Sequence, residues 1–311
     1  MRKTSVYLPD RLKERLAAAA RSSGRSEANL IRVAVEHLLD GGPQDHAELR
    51  PASLVRSEDP TSDAGALARR PAVFGVGVGP GDAGLLTVRA LEVLRSVDRV
   101  FAPCTSPESV GRAEAIVRDA APDVLVERLV FVMQPDGAAR DEAIEVAGAR
   151  VTDCARAGER VAFVTLGDPN VYSTFSAVAE VVARLAPTIP VVTVPGIMAF
   201  QELAARAGTV LVDGHESLLL LPAHGGDGDA VAEAAGVADR AVVIYKGGRH
   251  LPALAERLDA AGRLDGAVLG ELLGLPGQRV ADLRSVADRP VSYLATMIVP
   301  PRRVAPSEGA T

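Results

Sequence analysis

The stretch Ala72-Val73-Phe74-Gly75-Val76-Gly77-Val78-Gly79-Pro80-Gly81-Asp82 decides how this chain folds. Its first seven residues are apolar or glycine, which suits a strand buried on both faces. The next four form a tight loop. Thr87 then stands at an N-cap position ahead of Val88, Leu91, Val93, Leu94 and Val97 at helical spacing. A buried strand, a glycine turn and a helix open a parallel α/β unit. The same trio invites a dinucleotide site, and the spacing refuses it. G-x-G-x-x-G begun at Gly75 needs glycine where Pro80 stands, and begun at Gly77 it needs glycine where Asp82 stands. The next strand, Arg99 to Ala102, lacks the acidic residue that would hold a ribose. The phosphate-cradling pattern G-x-x-x-x-G-K-[ST] is absent as well.

The pattern recurs three times. Arg160 to Leu166 runs into Gly167-Asp168-Pro169, Val191 to Val194 into Pro195-Gly196, and Ala241 to Tyr245 into Lys246-Gly247-Gly248-Arg249. Repeated strand, turn and helix units bring such loops to one sheet edge, where α/β proteins place ligands. Asp168 either meets a ligand or bonds its own turn, as Asp in such turns commonly does. Lys246 is the sole lysine after Lys13 in a chain that otherwise uses arginine, and reads as a ligand contact or a surface charge.

Composition narrows the partners. Of 311 residues 48% are hydrophobic and none is Trp, so Ala, Val and Leu must fill the core. No apolar run reaches about 18 residues, so no membrane span is expected, and no signal-peptide core follows Met1. Cys104 and Cys154 have neither metal-ligand spacing nor a disulfide framework, which points to a reducing cytoplasm and no metal. The net charge of −6 divides unevenly: residues 1–39 hold eight Lys or Arg against four Asp or Glu, while residues 71–311 come to −8. A basic head on an acidic body suggests a polyanion for one and a small molecule for the other.

In the head, Thr4, Val6 and Leu8 alternate with Lys3, Ser5 and Tyr7, a short strand pattern ended by Pro9. Asp10 to Ser22 has helical spacing, Gly24 breaks it, and Ser26 caps a second helix carrying Leu30, Ile31, Val33, Ala34, Leu38 and Leu39. Forty residues so arranged cannot bury their apolar faces without a partner. The segment resembles the ribbon-helix-helix DNA-binding family. That resemblance implies a dimer whose paired strands present Lys3, Ser5 and Tyr7 to a major groove. The ribbon serving only to dimerise the chain is the alternative. Residues 41–70, rich in Gly, Pro, Ser and Asp, read as a flexible linker, and residues 304–311 as a disordered tail.

From residue 72 to about 300, four motifs in order resemble the tetrapyrrole methylase family. They are Gly75-x-Gly77-x-Gly79-Pro80-Gly81-Asp82 with Leu85-Leu86-Thr87, Leu166-Gly167-Asp168-Pro169, Val194-Pro195-Gly196, and Tyr245-Lys246-Gly247. Within the family, Thr165 to Phe175 and the closing strand Tyr293 to Val299 look most like precorrin-2 C(20)-methyltransferases. The resemblance implies a class III methyltransferase of two α/β domains, 71–193 and 194–303. Preceded by the small head at residues 1–40, it would bind S-adenosylmethionine in the cleft and act as a homodimer on a tetrapyrrole in cobalamin biosynthesis. By motif, Pro80, Leu166, Gly167, Asp168, Val171, Ser173, Thr174, Met198, Ala199, Lys246, Leu273 and Thr296 would surround the cofactor. The catalytic residue is not singled out; Tyr172, Asp168 and His215 are candidates by type. A carboxylate-rich substrate would need arginines at the cleft mouth, and the sequence does not choose among them. Methylation at another ring position, and a DNA-binding regulator whose body senses the cofactor or a tetrapyrrole, are the alternatives.

Overall fold

The computed structural model describes residues 70–131, 137–223 and 228–303, with Lys13, Ala17 and Glu27 as isolated helical positions. The ribbon residues Lys3, Ser5 and Tyr7, the linker at 41–69 and the tail at 304–311 lie outside the described residues. The three described segments all belong to the second of the chain's two units, Leu54–Thr311.

The first sheet is entirely parallel and contains β1 (Ala72–Gly77), β2 (Arg99–Cys104), β3 (Val126–Val130), β4 (Arg160–Thr165) and β5 (Val191–Val194), in the order β3-β2-β4-β1-β5. Four helices connect these strands: α1 (Val88–Ser96), α2 (Arg112–Ala120), α3 (Gly137–Arg156) and α4 (Phe175–Leu185). The β1 stretch is a strand as expected, and Thr87 caps α1 by accepting from the Ala90 amide at 3.1 Å. Because successive side chains on a strand point to opposite faces, the apolar run of β4 feeds two cores. Val161 and Phe163 pack with Phe175 and Val151 on one face, Ala162 and Val164 with Ile116 and Val100 on the other. All four central strand residues are fully buried.

After β5, α5 (Ala199–Ala207) leads to a second, mixed sheet. It comprises β6 (Ser217–Pro222), β7 (Arg240–Tyr245), β8 (Val268–Glu271), β9 (Arg279–Asp282) and β10 (Thr296–Val299), in the order β6-β7-β10-β8-β9. Only the β6–β7 pair is parallel. Helices α6 (Gly228–Gly236) and α7 (Leu251–Ala260) pack on one face, and α5 covers the other through Phe200, Leu203 and Ala204 against Val243 and Ile298. The closing strand is shorter than expected. Residues 293–295 form a turn, closed by the Ala295 amide donating to the Ser292 carbonyl at 2.9 Å, and pairing begins only at Thr296.

Glu114 on α2 is fully buried. It accepts two hydrogen bonds from the Arg128 guanidinium on β3, at 2.7 and 3.1 Å, and pairs with Arg118 at 2.5 Å. Burial by itself raises the affinity of this carboxyl for a proton. The Arg128 hydrogen bonds and the Arg118 charge outweigh that and hold its pKa below the usual carboxylate value. The pair ties α2 to the edge strand of the first sheet. Removing the carboxylate strands Arg128 without its partner, so Glu114→Ala is expected to lose about 3 kcal/mol or more in urea unfolding. Since the folded pKa is lowered, the stabilisation is present above the unfolded pKa and lost as pH falls through the folded one. The gap between wild type and variant should therefore narrow as pH falls through that lowered pKa, read by urea unfolding across an acid pH series.

Candidate functional site

The strand-end loops of both sheets line one cleft. Its walls come from Pro80 after β1, Leu166, Gly167, Asp168, Val171 and Tyr172 after β4, Met198 and Ala199 at the start of α5, Tyr245 and Lys246 at the end of β7, Leu272 and Leu273 after β8, and Tyr293 to Thr296 leading into β10; Arg112 opens α2 beside them. The space within these walls is about 800 Å³ with its open mouth included.

Backbone contact between loops sets the shape. The Val78 amide donates to the Thr165 carbonyl and the Gly167 amide to the Gly79 carbonyl, both at 2.9 Å, extending the β1–β4 pairing past the strand ends. Gly196 then packs its Cα against this crossing. A Cβ there would overlap the Gly167 carbonyl, and one on Gly77 would sit 2.7 Å from the Gly196 amide nitrogen. On the far side, Gly81 lies so close to the Leu273 carbonyl that a Cβ would overlap it too, which joins the β1 loop to the β8 loop.

Asp168 holds two loops together. One carboxylate oxygen accepts from the Asn170 amide at 2.8 Å within its own turn, and the other accepts from the Gly196 amide at 3.1 Å. Both oxygens are thus engaged by backbone, so its turn-bonding role is the one the geometry displays. Tyr172 bridges the two sheets: its hydroxyl donates to the Leu220 carbonyl on β6 at 3.1 Å. Its ring meets that of Tyr245 edge-on at 5.8 Å, and the Lys246 Nζ lies 5.7 Å from the Tyr172 ring centre. Burial raises the pKa of both tyrosines, Tyr245 more strongly. Tyr245 Oη is withdrawn from solvent without a hydrogen-bond partner among the described residues.

Strain collects at the same place. Among the described residues three non-glycine positions have positive φ, Tyr172 (50°), Lys246 (62°) and Leu272 (50°), and all three line the cleft. Each such conformation costs on the order of 1 kcal/mol and persists only where surrounding contacts enforce it, commonly at ligand sites.

Of the twelve residues expected to surround a cofactor, Pro80, Leu166, Gly167, Asp168, Val171, Met198, Ala199, Lys246, Leu273 and Thr296 face the cleft. Ser173 and Thr174 do not line it. The Ser173 hydroxyl donates to Thr165 Oγ1 at 2.9 Å and accepts from the Phe175 amide at 3.0 Å, so it shapes the turn into α4 instead. Thr174 stands directly before α4. His215 sits exposed in the turn ahead of β6 and is not among the lining residues, and its neighbour Glu216 pairs with Arg303. The sequence does not single out Arg112, Tyr245, Leu272, Tyr293, Leu294 or Ala295 as cofactor contacts. Tyr245 and Tyr293 belong to stretches that carry motif signal, whereas nothing around Arg112 does. Among the described residues no group of three or more His, Cys, Asp or Glu side chains could hold a metal ion.

The profile of the tetrapyrrole (corrin/porphyrin) methylases matches residues 72–287, and that of a CopG-like ribbon-helix-helix domain matches residues 2–40. A precorrin-2 C(20)-methyltransferase of Sinorhizobium sp is 32% identical over 237 residues, which cover 73% of this chain and 94% of the relative. A cobalt-precorrin-2 C(20)-methyltransferase of Salmonella typhimurium is 31% identical, covering 73% and 95%. Among solved structures, a cobalt precorrin-4 methyltransferase superimposes with a TM-score of 0.55 at 19% identity, over 75% of this chain and 96% of its own. The uroporphyrin III C-methyl transferase of Thermus thermophilus gives 0.52 at 22%, over 74% and 92%. These last two share the fold.

Because Gly196 touches backbone on both sides, Gly196→Ala has no side chain to displace and must part the β4 and β5 loops. We expect a loss of about 2 kcal/mol in thermal unfolding and at least tenfold weaker S-adenosylhomocysteine binding by calorimetry.

Proposed function

The chain belongs to the tetrapyrrole (corrin/porphyrin) methylase family, and from that premise we propose that it transfers a methyl group from S-adenosylmethionine to C-20 of precorrin-2 or its cobalt form, in cobalamin biosynthesis. The observation that carries this reading is one cleft lined by ten of the twelve residues expected from the motifs. The ring position is supported by relatives of that name, matched over more than nine-tenths of their length.

The lining fits the methyl donor. Apolar Pro80, Val171, Met198 and Leu273 suit its adenosine and the carbons beside its sulfonium, and the Tyr245 hydroxyl offers a buried hydrogen-bonding atom. Bound there, S-adenosylmethionine supplies an electrophilic methyl on a cationic sulfur. The protein's part is then chiefly to hold donor and acceptor carbon in line and to exclude water. The turns after β4 and β5, locked by Asp168 and the glycine crossing, do the holding. Tyr172 on the β4 loop, Lys246 and Leu272 are strained into place beside them. Tyr172 does not serve as a base at neutral pH, because its hydroxyl donates to Leu220 and burial raises its pKa. Asp168 is engaged on both oxygens, so among the described residues no free carboxylate or imidazole lines the cleft.

Incubation with precorrin-2 and S-adenosyl-[methyl-13C]methionine should give a product whose labelled carbon couples to C-20 in the NMR spectrum. Label at another ring carbon would remove the position, and no transfer to any tetrapyrrole would remove the reading.

The ribbon-helix-helix match supports a second activity for the head, DNA contact by a homodimer through Lys3, Ser5 and Tyr7. The full chain should retard the DNA upstream of its own coding region in a gel shift. Replacing the three residues together by Ala should abolish retardation while leaving methyl transfer intact.

A further inference from the structure

Arginines in this molecule nearly always have a partner. Among the described residues seven are at least partly withdrawn from solvent. Arg99 and Arg128 bind glutamates, Arg263 is held by four carbonyl contacts, and Arg279 reaches Glu271 at 4.0 Å. Arg240 reaches the Ser217 hydroxyl, and Arg160 lies over the Phe74 ring. The seventh is Arg112. It stands half-buried at the first turn of α2, faces the cleft, and has no hydrogen-bond, ion-pair or ring partner among the described residues.

Across the cleft, at the end of β7 in the other sheet, Lys246 is also half-buried and lacks an anionic partner among the described residues; its ammonium lies 5.7 Å from the Tyr172 ring centre. Among the described residues Asp168 is the one carboxylate lining the cleft, and it is occupied by two backbone amides. Burial lowers the pKa of both cations, and for Lys246 the nearby Arg140 charge lowers it further. Two cations drawn from water without anions are unfavourable by themselves, and a bound anion relieves that cost. In a body whose count from residue 71 onward comes to −8, this pair makes the cleft locally positive.

We propose that Arg112 and Lys246 are a two-sided carboxylate receptor, one cation from the start of α2 and one from the end of β7, that positions an acidic ligand in the cleft. A guanidinium can grip a carboxylate through two parallel hydrogen bonds, and the flexible ammonium opposite adds a point charge. Two carboxylate sources are compatible with this chemistry: the acidic side chains of a tetrapyrrole, and the α-carboxylate of the methyl donor. The first source rests on the function proposed above. Both residues are positioning residues.

The test uses the full chain and two equilibrium probes, neither of which requires turnover. S-adenosylhomocysteine is titrated by calorimetry and uroporphyrin, a tetrapyrrole with eight carboxylates, by fluorescence. Arg112→Gln and Lys246→Gln should each weaken at least one probe by roughly tenfold or more, with melting temperatures close to wild type. Arg112→Lys should recover part of the loss, which a merely structural role would not produce. Weakening confined to uroporphyrin assigns the receptor to the tetrapyrrole acids, and weakening confined to S-adenosylhomocysteine assigns it to the donor. Unchanged binding of both probes in both Gln variants overturns the proposal, as does a wild type that binds neither. If C-20 methylation fails, these measurements still read the receptor, so the two failures are distinguishable.

Discussion

Three glycine turns packed backbone to backbone are the constraint on which the rest of the structure depends. Gly77 and Gly196 approach until no Cβ fits between them, Gly167 turns beside them at a positive φ of 63°, and the β1, β4 and β5 loops become one floor. Hydrogen bonds from Val78 and Gly167 extend strand pairing into that floor, and Asp168 fastens the β5 loop to it through the Gly196 amide. Gly81 makes the same kind of contact with Leu273 and so carries the floor across to the second sheet. Close approach without side chains is what glycine alone permits, and here it leaves backbone to form one wall of a ligand cleft.

Against this floor the opposite wall is held under strain. Tyr172, Lys246 and Leu272 sit at positive φ, a conformation that isolated turns of these residues would avoid. What keeps them there is tertiary: the Tyr172 hydroxyl on Leu220, the edge-on contact with Tyr245, and the turn that returns the Leu275 amide to the Leu272 carbonyl at 2.9 Å. The stability of the two cores is drawn on to hold a few side chains in a geometry that suits a ligand. This is the usual relation between a well-packed scaffold and a strained site.

The charge distribution follows the same division. Glu114 with Arg118 and Arg128, and Arg99 with Glu127 and Glu159, neutralise the partly buried edge of the first sheet. Arg112 and Lys246 are left without anions where the cleft lies. Counting arginines in the sequence could not separate these groups. The distinction is one of partners, and partners come from elements far apart in the chain: Arg128 is 14 residues from Glu114, and Arg99 is 60 from Glu159.

The amino-acid sequence by itself determined β1, β2, β4, β5 and β7 and the order of the turns that follow them. Burial on both faces demands an apolar run such as Arg160 to Thr165, a close crossing of loops demands glycine at Gly77 and Gly196, and a positive φ favours it at Gly167; these are local requirements written in residue type. That is also why motif likeness located ten of the residues found at the cleft. Tertiary structure alone decided what the polar residues do. Asp168 became a clasp because the Gly196 amide arrives 28 residues later, and Ser173 turned inward because Thr165 is above it. The closing stretch from Tyr293 reads as strand through Val299, yet its first three residues fold into a turn that lines the cleft. Arg112 lines the cleft with residues from Pro80, 32 positions before it, to Thr296, 184 positions after it. Such long-range juxtaposition leaves no period or motif in the chain, because it is a property of the assembled sheets and not of any segment within them.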